Sequence, residues 1–192
     1  MGSDLMILFA VLFLFVVLQR VTELIIARSN EAYLKSRGAV EIGHSHYKWI
    51  VLVHAGFFVS LLTEVLILRK TLASWFWIPL AFFAAAQVLR LWALLSLGRY
   101  WNTKIIILPN APVVARGPYK YLRHPNYLIV ATEILTLPLI FRAYFTAFVF
   151  TILNIIVLSI RIPIEEKALE DVTDYSKMMK SRRRFIPSGR EN

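Results

Sequence analysis

The residues best equipped for chemistry lie between Ala115 and Tyr127, ARGPYKYLRHPNY, in a connector between two long apolar blocks. Pro118 fixes φ directly after Gly117, whose missing Cβ permits close approach to a ligand, and Pro125 drives His124 out of the α region. The segment is therefore expected to be stiff, cationic and aromatic, with Tyr119, Tyr121, Arg123, His124 and Tyr127 at fixed spacing. A second set follows in RIPIEEKALEDVTDYSKM, where Arg161, Glu165 and Glu166 add acidic groups. Arginine suits a carboxylate, while acidic and aromatic side chains suit a positive centre. The two sets together suit a ligand bearing both signs of charge. Simpler readings stand beside this one: His124 as a helix cap, and Arg161 with Glu165 as an i,i+4 pair worth a few tenths of a kcal/mol.

These residues must be held by membrane elements. The 192-residue chain is 58% hydrophobic with mean hydropathy +0.60, well above a soluble domain. Five apolar blocks reach the length of a spanning helix: 4–28, 46–68, 74–98, 125–141 and 143–162, the fourth at the lower limit. The expected fold is all-α: a polytopic membrane protein with five transmembrane helices and one domain over 1–192. The first block has no small-residue cleavage site and reads as a retained span. Pro163, with Glu165 and Glu166 just after it, signals a new helix start. Ile164, Ala168, Val172, Tyr175 and Met179 then give an amphipathic C-terminal helix, 164–180, lying at the interface. Glu64 falls at the far end of the second block and is expected to be solvated. The polar stretch 29–45 reads as a connector in which His44 and His46 are ordinary interface residues.

The formal charge of +10 reports orientation and anionic lipid before nucleic acid, for which no motif is present. Basic residues crowd the connectors on one side, from Arg28 through Arg123 to Lys180 and Arg190. The other side has only Arg69, Lys70 and Arg142. The positive-inside rule places the amino terminus outside and both chemical segments in the cytosol. Arg182, Arg183 and Arg184 read as an anchor for anionic headgroups. The absence of cysteine excludes disulfides and thiolate metal sites, and no His, Asp or Glu spacing fits a metal.

Ionisable residues inside spans face a cavity or a partner. Arg20, His54, Arg90, Glu133 and Asn154 each fall eight or nine residues from the cytosolic end of their block, a common depth of roughly 12 Å. They are expected to form a polar pocket floor. The competing reading is that Arg20 pairs with Glu23 and Arg90 with Glu133, simply joining helices.

The pattern GPYxYxRHPxY, together with R-x-x-x-E-E at Arg161 to Glu166, resembles the signature of the isoprenylcysteine carboxyl methyltransferase and phospholipid methyltransferase superfamily. The resemblance implies S-adenosylmethionine as cofactor, held within about 99–192 by Tyr119, Arg123, His124, Pro125, Tyr127, Glu165 and Glu166. It also implies a lipophilic acceptor entering from the bilayer. Arg161, Glu165, Asn154 and Arg90 are the catalytic, acceptor-side candidates, with Arg161 or a neighbouring Glu orienting or deprotonating an acceptor oxygen. No G-x-G-x-x-G follows a strand, so the soluble doubly wound methyltransferase fold is excluded. The stretches LGRYWNTKI and QRVTELIIARSNEAYLKSRG resemble a bacterial subgroup associated with alkylpyrones and alkylresorcinols. Together the resemblances imply O-methylation of a carboxylate or of an enol or phenol, such as that of an alkylpyrone, at a bacterial cytoplasmic membrane. N-methylation of an ethanolamine phospholipid is the alternative enzyme reading, and a small transporter or scaffold the non-enzymatic one.

Overall fold

The computed structural model describes residues 3–179 and 181–186, so Lys180 and Arg190, used above for orientation, lie outside the described residues, as do the side chains of His44 and His46. The chain runs α1 (Ser3–Lys35), β1 (Val40–Ile42), α2 (His44–Ile67), α3 (Trp77–Leu97), β2 (Ile105–Ile107), α4 (Pro125–Ile140), α5 (Tyr144–Val172) and the short α6 (Tyr175–Met179). Four helices are long and apolar enough to cross a membrane: those of α1, α2, α3 and α5. The expected fifth span is α4, whose 16 residues extend about 24 Å, short of a hydrocarbon core of about 30 Å. It packs between α3 and α5 and turns into α5 at Arg142, which takes φ 56°. Large apolar side chains such as Ile7, Leu18, Val59, Ile67, Val88 and Phe148 are exposed on the long helices, as a lipid-facing surface requires.

Three expectations are corrected. The 29–45 stretch is mostly helix: α1 continues to Lys35 because Glu31, Ala32, Leu34 and Lys35 are good helix formers and nothing breaks the run before Gly38, at φ 90°. The interfacial helix from Ile164 does not begin anew. The buried stripe Phe150, Asn154, Leu158, Arg161, Ile162 and Glu166 runs at helical spacing across Pro163, and tertiary packing carries α5 through the missing N–H to Val172. Glu64 is not solvated. It is buried and accepts hydrogen bonds from the Thr146 N–H (2.8 Å), the Thr146 hydroxyl (2.7 Å) and the Phe145 N–H (3.3 Å), capping the start of α5 with charge that its dipole favours.

The main core lies at the end remote from the motif, where Phe9, Phe57, Leu61, Phe83, Leu137 and Phe141 interlock. Toward the motif, small residues Ala86 and Ala93 let α3 and α4 approach closely. Gly117 belongs to this contact. At φ 58°, a Cβ here would fall 1.9 Å from the Ser96 hydroxyl, so the missing side chain serves packing on α3. Over the motif end lies the antiparallel ribbon β1–β2, with Val40 opposite Ile107, resting on Ile164, Ala168 and Leu169 of α5.

Candidate functional site

A cavity of about 470 Å³ opens between this ribbon, the motif segment and the helices. Its motif end is lined by Tyr119, Arg123, His124, Tyr127, Arg161, Glu165 and Tyr175, and its deep end by Arg20, Glu23, His54, Arg90 and Asn154. The two sequence segments thus converge in space.

Pro125 opens α4, where its missing N–H costs nothing, and His124, held outside the helical region at φ −129° and ψ 60°, turns its imidazole toward α5. There His124 Nε2 lies 3.0 Å from Glu166 Oε1. The same carboxylate receives Arg184 through Nε (3.1 Å) and Nη2 (2.5 Å), and Arg123 Nη1 stands 3.6 Å away. The tail is laced to the motif by backbone as well: Arg123 N–H donates to the Arg183 carbonyl (3.1 Å), and the Arg123 Nε to that of Arg182 (2.6 Å). The bond to Glu166 comes first in holding the Arg184 guanidinium above its ordinary pKa. Arg184 is therefore committed to Glu166, while the side chain of Arg183 remains exposed. Glu166 itself does not line the cavity, nor does Pro125; both position residues that do.

Glu165 faces the cavity and accepts the Tyr127 hydroxyl proton. Arg161 donates through Nε to the Tyr127 oxygen (2.7 Å) and through Nη2 to the Thr103 carbonyl (2.7 Å). The i,i+4 spacing of Arg161 and Glu165 is thus bridged by a tyrosine from α4. Tyr119 and Tyr175 also line the cavity, and their hydroxyls are buried without a partner among the described residues. Burial first, and then nearby carboxylates, push both phenols above their ordinary pKa, so each stays a neutral donor.

At the deep end the polar layer divides. Arg90 donates through Nη1 to Glu23 (2.7 Å) and through Nε (3.1 Å) and Nη2 to Glu133. Arg20 joins the same two carboxylates, and Gln87 donates to Glu133 (2.6 Å). This group joins α1, α3 and α4 with its charges balanced. The helix-joining reading holds for Arg20, Arg90 and Glu133, and the Arg90 guanidinium is already engaged. His54 and Asn154 stay outside it on the cavity wall.

The stretch LGRYWNTKI was singled out by resemblance without a place in the site: its Trp101, Asn102, Thr103 and Ile105 line the cavity, and the Thr103 carbonyl accepts from Arg161. Backbone contacts of that kind leave no trace in residue type. Tyr175 and Arg184 were legible as an interfacial residue and a basic cluster, without their partners.

Fold and site define a membrane-embedded protein with an open, largely apolar cavity that carries charged and polar groups at both ends, beside the RHPNY segment. A family model, isoprenylcysteine carboxyl methyltransferase (ICMT) family, matches residues 77–171, which span α3 to the end of α5 and contain Arg90, His124, Arg161 and Glu166. Two relatives extend the likeness beyond that region. The uncharacterized protein YpbQ of Bacillus subtilis (strain 168) is 45% identical over 164 residues, 85% of this chain and 98% of the relative. An uncharacterized protein of Haemophilus influenzae is 28% identical over 151 residues, 78% of this chain and 88% of its own. The chain belongs to the isoprenylcysteine carboxyl methyltransferase family, and membership makes it a membrane methyltransferase by class.

Proposed function

We propose that the protein is a single-domain, S-adenosylmethionine-dependent methyltransferase that methylates an oxygen of a lipophilic acceptor. Its motif end would lie on the cytosolic side of a bacterial cytoplasmic membrane, with the amino terminus outside. The observation that carries this reading is the joining of the two motif segments, His124 to Glu166 and Tyr127 to Glu165, at the mouth of one cavity. At about 470 Å³ its volume is that of a small-molecule site, typically about 300–1,000 Å³.

The residues present fit the cofactor. Glu165 and the rings of Tyr127 and Tyr175 suit a sulfonium and an α-amino group, and Arg123 suits a carboxylate. The buried, partnerless hydroxyls of Tyr119 and Tyr175 are donors that a polar ligand would satisfy. When bound, the cofactor supplies an activated methyl group. The chain's work is then alignment and exclusion of water. Arg161, fixed by Tyr127 and Thr103, holds Tyr127 in place against Glu165, and the β1–β2 ribbon roofs the cavity. An apolar acceptor with one acidic oxygen, such as the enol of an alkylpyrone, suits a cavity walled by lipid-exposed helices. Exposed Arg183 remains available for anionic headgroups.

Calorimetric titration of the detergent-solubilised protein with S-adenosylhomocysteine tests the reading. Binding is expected, weakened at least about tenfold by Glu165→Gln and by His124→Ala, each of which removes a charge-assisted contact worth about 1.5–3 kcal/mol. Absence of binding to the wild-type protein would overturn it.

A further inference from the structure

The deep wall of the cavity contains a pair of polar groups that the ion network leaves unused. Helices α2 and α5 pack as a regular ladder. The Ser60 and Thr146 hydroxyls lie 2.8 Å apart, and one turn nearer the motif the rings of Phe57 and Phe150 meet at 5.8 Å. Each rung steps back three residues on α2 and forward four on α5. Continued by one step, that register pairs His54 with Asn154. His54, Asn154, Tyr47 and Arg161 all line the cavity.

The hydrogen-bonding capacity of this rung is defined. His54 Nδ1 lies 2.8 Å from the Ile50 carbonyl, which can only accept, so the ring proton sits on Nδ1. In the neutral imidazole Nε2 is then a bare acceptor, and it makes no hydrogen bond among the described residues. The Asn154 side chain, buried from bulk water, likewise makes none among the described residues, and offers an acceptor oxygen and an amide with two N–H donors. The surrounding charges, Arg20, Glu23, Arg90 and Glu133, are consumed by one another.

We infer that His54 and Asn154 form the subsite that reads the polar end of the acceptor, and that the group they read is a neutral hydroxyl. Nε2 accepts the O–H hydrogen while the Asn154 amide donates to the same oxygen. A carboxylate or an ether offers no hydrogen to Nε2, and an unpaired ammonium would be buried beside two arginines. The pair therefore selects an enol or phenol over an acid, an ether or an amine. This rests on the proposed O-methyl transfer for its meaning, but its test does not need the cofactor.

Binding of radiolabelled para-dodecylphenol to the full chain in nanodiscs, competed by its methyl ether and by para-dodecylbenzylamine, an ammonium at neutral pH, reads the subsite directly. The phenol is expected to bind at least about tenfold more tightly than either analogue, because each leaves a buried polar group unpaired or wrongly paired. His54→Phe and Asn154→Leu should each abolish that preference. His54→Gln, which restores an acceptor, should recover part of it. S-adenosylhomocysteine titration of the same samples reports an intact motif end, so loss of folding is told apart from loss of the subsite. Equal affinity for phenol and ether in the wild-type protein, a preference for the amine, or an undiminished preference in His54→Phe would overturn the inference. Failure of the wild-type protein to bind S-adenosylhomocysteine, with the phenol preference intact, would instead sink the methyltransferase reading and leave the subsite standing.

Discussion

Neutralising Glu133 should be among the most damaging single changes in this chain, and the structure gives its size. The side chain is 3% exposed and receives Arg90 through Nε and Nη2, Arg20 through Nη2 and Gln87 through Nε2. In Glu133→Gln, Glu23 alone faces two guanidinium groups, and one positive charge stays buried in apolar surroundings. Breaking a buried pair in this way costs about 3–5 kcal/mol. In Arg90→Gln/Glu133→Gln the remaining Arg20 and Glu23, already 2.7 Å apart, balance each other. The double variant should therefore lie within about 1–2 kcal/mol of the wild-type protein, since a fully removed pair leaves no orphaned charge. Reversible denaturant titration in mixed micelles, followed by circular dichroism, measures all the variants in a double-mutant cycle. A loss below about 1 kcal/mol for Glu133→Gln, or strictly additive losses, would refute the claim that this network is a closed, mutually dependent unit.

Other outcomes are expected from the same geometry. Glu166→Gln should weaken S-adenosylhomocysteine binding about tenfold by releasing His124 and the Arg184 tail, while unfolding shifts by only about 1 kcal/mol because Arg184 is half-exposed; calorimetry and thermal unfolding separate the two. Glu64→Leu removes the acceptor for two N–H groups at the start of α5 and should cost about 1–2 kcal/mol in the same titration. Gly117→Ala places a Cβ against Ser96 at positive φ and should destabilise by about 1–3 kcal/mol, with Ser96→Gly restoring part of the loss. Burial raises the Glu41 carboxyl, but hydrogen bonds from Lys35 and Lys104 outweigh it and leave the group below its ordinary pKa. Its contribution is thus present above the ordinary carboxylate range and lost as pH falls through the folded value. Amide exchange in 40–42 and 105–107, corrected for intrinsic rates, should quicken as pH falls below the ordinary carboxylate range, and less so in Glu41→Gln, where only Glu31 still titrates against the same lysines.

What could be read from the sequence followed from chemistry carried by side chains at fixed spacing. The RHPNY and E-E segments were legible because proline, histidine and paired acids restrict one another within a few residues, and those segments do meet, at His124 and Glu166. Helix limits were less legible where local signals and packing disagree. Pro163 is a strong local start signal, yet a buried stripe on both sides of it carries α5 onward. Glu64 looked like an end-of-span charge, because nothing near it in sequence reveals that the N-terminus of α5, eighty residues on, needs an acceptor. The strand pairing that roofs the cavity was illegible for the same reason. Strands of three residues, placed by pairing Val40 with Ile107, leave almost no periodic trace.

The polar layer shows where depth in a helix stops being informative. Arg20, His54, Arg90, Glu133 and Asn154 were grouped by distance from one end of their blocks, and that distance cannot tell a structural tie from an open site. Partners can. Glu23, one turn from Arg20 and absent from the grouping, supplies the second carboxylate that lets both arginines close on acids, so the three charged members become a neutral joint between α1, α3 and α4. Had Glu23 been apolar, one guanidinium would face the cavity and the floor would favour an anionic acceptor. With Glu23 present, the floor offers its charge to nothing, and selection passes to the uncharged pair on α2 and α5. Glu23→Gln should therefore shift the probe preference away from the phenol toward a long-chain carboxylate, and an unchanged order of affinities would show that the network does not set the polarity of the floor.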